Sequence, residues 1–356
     1  MIRQRLKAVR VLMTNFRLQS MLVTELAHVR YLTGFSGSSG ICLITPTKQF
    51  LITDRRYKSQ APQEVNGFKI IIAKQNLFPL LAERKLIPTR SRIGFESQYV
   101  SVADINTLKK LLPLRHFIPA TNILENVSAI KDDKEIELIR SAASISDKVF
   151  KKLLTLVRPG VRECDIAAEI SYLHRKYGAE CDAFDPIVAS GERGALPHAR
   201  ASEKKIRCGE CVVIDFGCRY RGYHCDITRT LAVGSPSAEM KKVYQIVLDA
   251  QRKAIEAVHC GVAARSIDAI ARNHIRQNNY GRYFIHSLGH GLGIHVHDPL
   301  RISAISNAVL KTGNVVTIEP GIYIPGRGGV RIEDDIVVRE NGCDILTKSS
   351  KELIIV

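Results

Sequence analysis

The sequence predicts a mixed α/β (α+β) protein of two domains, a small one over residues 1–125 and a larger, internally duplicated one over residues 126–356. Three observations carry this. A chain of 356 residues is long enough for two hydrophobic cores. Short β-rich runs alternate with helical stretches before residue 126. After it, a helix–helix–strand pattern occurs twice with glycines and acids in matching places.

Taken in order, residues 2–17 have the spacing of an amphipathic helix that feeds a strand at Met21–Thr24. Further β-rich runs follow: VRYLTGF from Val29, GICLIT from Gly40, FLIT from Phe50, KIIIA from Lys69 and RIGFE from Arg92. The turn-rich stretch Gly34–Gly40 lacks the Gly-Lys-Ser/Thr ending of a phosphate loop and reads as a connection between strands. Asp132 and Glu135 have capping-box spacing and open a long helix running to about Arg158, before Pro159-Gly160.

The repeat follows. One helix ends at Gly160-Val161 and precedes a second at Asp165–Tyr177; later a helix from Ser237 ends at Gly261-Val262 and precedes Ile267–Asn279. After each pair comes a strand framed by glycines, Gly209 to Gly217 and Gly313 to Gly321, with Asp215 and Glu319 at equivalent places. Each strand is followed by a second acid four residues beyond another glycine, Asp226 after Gly222 and Glu333 after Gly329. Four matched positions in one order make duplication the better account.

Composition excludes several classes. Hydrophobic residues make up 45% and charged residues 24%, values typical of a globular domain, and no apolar run approaches the length of a membrane helix. The basic N-terminus has no apolar region followed by a small-residue cleavage site, so it reads as a helix and not a leader. Nine cysteines, an odd number spread through core-like segments, point to reduced thiols and a cytoplasmic location. Cys208 and Cys211, with Cys218 and Cys225 beyond, lack the spacing of a zinc ribbon. A net charge of +17 raises nucleic-acid binding, but aromatic residues are only 6% and the basic residues read as scattered, so that partner is not favoured.

The chemistry rests on four acids. Asp215 and Glu319 each close a run of apolar β-formers that should be buried. With Asp226 and Glu333 they make four buried carboxylates, which would repel or take up protons, and two divalent cations relieve this; oxygen-rich ligation suits Mn²⁺. His290, between glycines in GHGLG, is free to ligate. His297 and His198 stand somewhat above the background of structural histidines, and His295 at it. Arg331, two residues before Glu333 in a strand, shares its side and can orient it or form an ordinary cross-strand pair. There is no nucleophile elbow, Walker motif or His-Glu-x-x-His, which leaves metal-assisted hydrolysis as the leading reaction class.

In the contexts VVIDFG, HCDITRT, GHGLG, TIEPGIY and GVRIEDD, the residues Asp215, Asp226, His290, Glu319 and Glu333 resemble the five metal ligands of the pita-bread metallopeptidases. VRYLTGFSGSSG and FLITDRRY resemble the creatinase-type N-terminal domain of Xaa-Pro peptidases, which simple methionine aminopeptidases lack. FDPIVASGERGALPHARAS and GIHVHDP resemble their substrate-site segments.

The resemblance implies a pseudo-twofold pita-bread catalytic domain with Asp215 on one metal, His290 and Glu319 on the other, and Asp226 and Glu333 bridging. It makes Glu319 the proton shuttle, puts His198 and His297 against the substrate and gives Arg331 a supporting role. Mn²⁺ is the implied metal, with Co²⁺ or Zn²⁺ as substitutes. It implies peptides with proline second as substrates and a homodimer bordered by the N-terminal domain. Gly194 where relatives often have Ser, and His295 where an acid is common, bear on preference and remove no ligand. The expected activity is Xaa-Pro aminopeptidase; the alternatives are an Xaa-Pro dipeptidase and a catalytically silent binding protein of the same fold.

Overall fold

The computed structural model describes residues 2–356. They form two compact units, the first ending at Ser128 and the second covering Ala129–Val356.

In the first unit a six-stranded sheet has the spatial order Lys69–Ala73, Gln49–Asp54, Gly40–Ile44, Ser20–Val23, Arg92–Glu96, His116–Ala120. Five strands run one way, and Gly40–Ile44 runs against its two neighbours. Leu22, Leu43, Ile52, Leu81, Ile93 and Leu108 form the core between sheet and helices. The expected β-run at Val29 is instead a helix, Leu26–Thr33. The Glu25 side chain caps its start by accepting from the Ala27 amide, and Gly34, at φ 85°, ends it. Capping at both ends outweighs the β preference of the Val-Arg-Tyr stretch between them.

The second unit repeats one motif. Helices Asp133–Leu153 and Glu163–Lys176 pack on the antiparallel sheet Ile187–Ser190, Cys211–Phe216 and Ile227–Ala232. Helices Ala238–Glu256 and Ala264–Gln277 pack on a sheet containing Gly289–Gly291, Val315–Ile318 and Asp334–Arg339. Asp132 and Glu135 do form a capping box at the head of the first helix. The correspondence reaches single bonds: the Gly160 amide donates to Ile206 and the Gly261 amide to Leu310, both at 2.8 Å. The same two loops carry the matched bridges Arg162 to Lys205 and Ala263 to Val309.

The two half-sheets present their acids through close backbone contacts. A β-carbon on Gly217 would lie 1.9 Å from the Cys225 carbonyl oxygen, and one on Gly289 equally close to that of Thr317. Only glycine fits at either place, and these contacts set Asp215 near Asp226 and His290 near Glu319.

Candidate metal centre

A cavity of about 480 Å³ in the second unit is lined by Asp215, Asp226, His290, Glu319 and Glu333 together with His198, His297 and Arg331. Every residue that sequence singled out as a ligand or a substrate contact therefore faces one space. His295 lies outside it, with its Nδ1 3.9 Å from Asp298.

Each acid is held by a different device. Asp215 closes strand Cys211–Phe216, and its Oδ2 accepts from Arg331 Nη2 at 2.5 Å. Asp226 lies at the head of the next strand, where its amide donates to Asp335 at 2.9 Å. Glu333 Oε2 accepts from the Thr228 hydroxyl at 2.6 Å, and Glu319 Oε1 from that of Thr317 at 3.3 Å. The oxygens Asp215 Oδ1 and Asp226 Oδ1 are buried with no hydrogen-bond partner. A buried carboxylate oxygen left so is costly unless something cationic takes it up.

His290 supplies nitrogen. Its Nδ1 lies 3.1 Å from the Gly291 carbonyl and donates there, which leaves Nε2 as a lone-pair donor 3.5 Å from Glu319 and 3.7 Å from Asp226. Burial, with His297 beside it at 4.3 Å between ring centres, depresses its pKa to about 4, so the imidazole is neutral. Asp226, His290 and Glu333 each offer one ligand atom within 4.8 Å of the others.

The acids are mutually strained. Burial, and then Glu333 and Asp215 nearby, push the Asp226 pKa well above the carboxylate range. Burial does the same for Glu333, helped by Glu319 and Asp215. Burial raises Glu319 to about 8 against the opposing pull of Arg331. Carboxylates that resist ionisation, two orphaned oxygens and a neutral imidazole match an oxygen-rich divalent-metal site.

Sequence reasoning named Arg331 but assigned it the wrong acid, and it missed Tyr323, Glu163 and Arg301 altogether. Arg331 donates to Asp215, to the Tyr323 hydroxyl at 2.7 Å, to Thr228 at 3.1 Å and to the Pro197 carbonyl at 3.2 Å. It therefore orients Asp215, whereas its spacing from Glu333 had suggested that acid. Tyr323 also meets His286 Nε2 at 2.9 Å. Glu163, fully buried, accepts from Ser190, Arg193 and Ser202 and so ties down both ends of the loop that carries His198. Arg301 lines the cavity from the strand register opposite His290. The sequence held no local signal for Glu163, whose partners lie 27 to 39 residues away. Tyr323 lay in plain view, two residues past a framed glycine.

Comparison with known proteins defines the class. The model of metallopeptidase family M24 matches residues 137–340, and that of the creatinase/prolidase N-terminal domain matches residues 5–130. The chain belongs to metallopeptidase family M24, with the pita-bread catalytic domain and its N-terminal companion. Among its relatives, an Xaa-Pro dipeptidase from Pyrococcus horikoshii is 40% identical over 99% of both chains. The structure of an Xaa-Pro dipeptidase from Bacillus anthracis superposes with a TM-score of 0.97 at 40% identity, over the whole of both chains. That of an X-Pro aminopeptidase from Thermotoga maritima gives 0.90 at 39% identity, covering 95% of this chain and 98% of the other.

Proposed function

We propose that this metallopeptidase is an Xaa-Pro dipeptidase, which hydrolyses the bond between a first residue and a C-terminal proline. The observation that carries the choice is Arg301. Of the two arginines lining the cavity, Arg331 is buried and committed to four acceptors. Arg301 is exposed, with no ion-pair partner among the described residues, and it stands where a free carboxylate of a dipeptide can reach it. Relatives named Xaa-Pro dipeptidases support the same reading over the aminopeptidase expected from sequence.

In this reading Asp215, Asp226, His290, Glu319 and Glu333 would hold two divalent ions, with Mn²⁺ the favoured ion. When bound, they neutralise the acids and lower the pKa of water. Glu319 takes the proton from the attacking water and hands it to the leaving proline nitrogen. His198 and His297, both exposed at the cavity, contact the peptide and steady the charge that develops on its carbonyl oxygen. Arg331 holds Asp215 in place. Phe184 and Ile187 give the cavity an apolar wall for the pyrrolidine ring, whose nitrogen asks for no hydrogen-bond acceptor. Nine unpaired thiols support a reducing compartment such as the cytoplasm. A homodimer belongs to the reading on resemblance alone, and light scattering tests it.

The test is hydrolysis of Xaa-Pro and Xaa-Pro-Yaa peptides by metal-stripped protein after return of Mn²⁺, Co²⁺ or Zn²⁺, with Glu319→Ala and Arg301→Ala beside it. Cleavage of the dipeptide alone, weakened in KM by Arg301→Ala, supports the dipeptidase. Efficient cleavage of the tripeptide restores the aminopeptidase, which the Thermotoga maritima structure keeps in view. No metal-dependent cleavage of either rejects both.

A further inference from the structure

The charge of the chain is not scattered, as it reads along the sequence. Residues 1–128 contain 19 Lys and Arg against seven Asp and Glu, a net +12 of the chain's +17 in little over a third of its length. Within that unit the charge is also polarised. Five strands start at one edge of the sheet, where Lys48, Lys69 and Arg92 lie at or beside their first residues. Glu25, Asp54 and Glu96, three of the seven acids, lie at or just beyond the opposite edge.

At the basic edge is a second cavity, about 680 Å³, lined by Lys48, Lys69, Arg84 and Lys85 with Gln19 and Thr47 among its neutral donors and no carboxylate. None of the four cations is ion-paired among the described residues, although Asp54 at the far edge is matched by Arg56 at 2.8 Å. Arg10 fixes one wall, donating to the Thr45 carbonyl at 2.9 Å and to Gln49 at 2.8 Å.

A second observation is independent of the cavity. Arg17, Lys85 and Arg90 occupy left-handed backbone, at φ 54°, 49° and 60°. Glycine is the ordinary residue there, and any side chain is held at a cost. Arg17 and Arg90 precede two of the five strands that start at this edge, Ser20–Val23 and Arg92–Glu96, and Lys85 lines the cavity. Three basic residues thus hold left-handed backbone at this edge of the sheet, one of them in the cavity wall.

We propose that this edge of the first unit is a binding site for a small, multiply charged phosphate compound. The concavity has small-molecule dimensions, which favours a compact ligand over an extended polymer. Four unpaired cations call for three or four negative charges in that volume, a density that linked phosphates reach and a short acidic peptide does not. Apolar Phe50 and Leu86 in the same wall leave room for a flat or aliphatic part.

The test is calorimetric titration of the full chain with inorganic tripolyphosphate, after removal of metal so that the probe cannot bind through it. Wild type should bind with an affinity that falls steeply with salt, and Lys48→Ala/Lys69→Ala/Arg84→Ala should weaken it by at least about tenfold. The triple variant should keep its melting temperature and, when reloaded with metal, its peptidase activity. Lys109→Ala/Lys110→Ala, on a helix outside the cavity, should bind as wild type does. Absence of binding, or binding that survives the triple substitution, overturns the proposal. So does a single-stranded oligoribonucleotide that binds more tightly than tripolyphosphate and is lost in the same variant, which would make the edge a nucleic-acid surface.

Discussion

Removing metal should make this protein's stability fall as pH rises from 6.5 to 8. In the metal-free chain, burial and mutual repulsion raise the Asp226 and Glu333 carboxyls well above their usual range and Glu319 to about 8. A carboxyl raised in the folded state keeps a proton that the unfolded chain has lost. Its stabilisation is complete below the unfolded pKa, near 4.5, and disappears as pH rises through the folded value. His224, His286 and His290, each lowered by burial to about 4, act in the opposite sense and add stability between about pH 4 and 6.5. Below pH 6.5 the two sets oppose one another; from 6.5 to 8 only the acids remain. At about 1.4 kcal/mol per pH unit and group, Glu319 alone costs about 2 kcal/mol across that window. Asp226, Glu333 and Asp335, which burial also raises, extend the loss to at most roughly 8 kcal/mol, a ceiling because the four lie close together and interact. At about 2–4 °C per kcal/mol for a unit of this size, the melting temperature of the stripped catalytic unit should fall by at least about 4 °C. Reloaded protein should fall less, since bound metal takes the place of the protons on Asp226, Glu319 and Glu333. Calorimetry of stripped and loaded protein at pH 6.5 and 8 reads both, and stripped Glu319→Gln should lose less. A melting temperature of the stripped chain that is flat or rises over this window refutes the electrostatic account.

Other perturbations isolate the supporting residues. Arg331→Lys keeps the charge but loses the fork to Asp215 and Tyr323; losing about two charged hydrogen bonds, near 3 kcal/mol, predicts roughly a 100-fold drop in kcat/KM on an Xaa-Pro dipeptide. Glu163→Gln removes the charge that both ends of the His198 loop share, so kcat/KM should fall by about tenfold while metal stoichiometry, read by elemental analysis, stays the same. Amide exchange over residues 190–202 should quicken in that variant. Lys131→Met leaves Asp298 buried without its partner at 2.6 Å and should cost about 3–5 kcal/mol in urea denaturation, most of it regained in Lys131→Met/Asp298→Leu.

Sequence made the framework legible where a residue's role was local. The capping box at Asp132 and the glycine-framed acids of the repeat are read from neighbours a few residues away. What stayed hidden depends on distant partners. Beside the expected ligand Glu333, the burial of Asp334 and Asp335 is one such case: all three are buried, each with its own counterpart. Glu333 meets Thr228, Asp334 is held by Arg229, Gln251, Lys351 and Thr347, and Asp335 accepts the Asp226 amide. Arg301 was lost among many basic residues, because spacing does not tell a cation that faces a cavity from one that faces solvent. Val29–Phe35 was misread because two caps outweighed the propensity of the residues between them.

The duplication also accounts for the inequality of the two half-sites. The residue two before the second acid is His224 in the first copy and Arg331 in the second. Arg331 crosses to the first copy's acid and donates to Asp215 at 2.5 Å. A symmetric counterpart would bring His224 to Glu319, but His224 Nδ1 instead lies 3.2 Å from the Gly293 carbonyl, and burial keeps that imidazole neutral. Glu319 is left with the Thr317 hydroxyl at 3.3 Å and the neutral His290 at 3.5 Å. One framed acid therefore has a guanidinium against it, while its twin has no cation in direct contact and a pKa near 8 in the metal-free chain. A group that must take up and release a proton near neutral pH needs the second environment. Arg331→His, which makes the copies alike, should therefore weaken metal binding through Asp215, whereas His224→Arg should, if its guanidinium reaches Glu319, lower that carboxyl's pKa and shift the acid limb of the pH–rate profile. A profile that stays unchanged in His224→Arg, with metal fully bound and a crystal structure of the variant showing the guanidinium against Glu319, would remove Glu319 from the proton-transfer role.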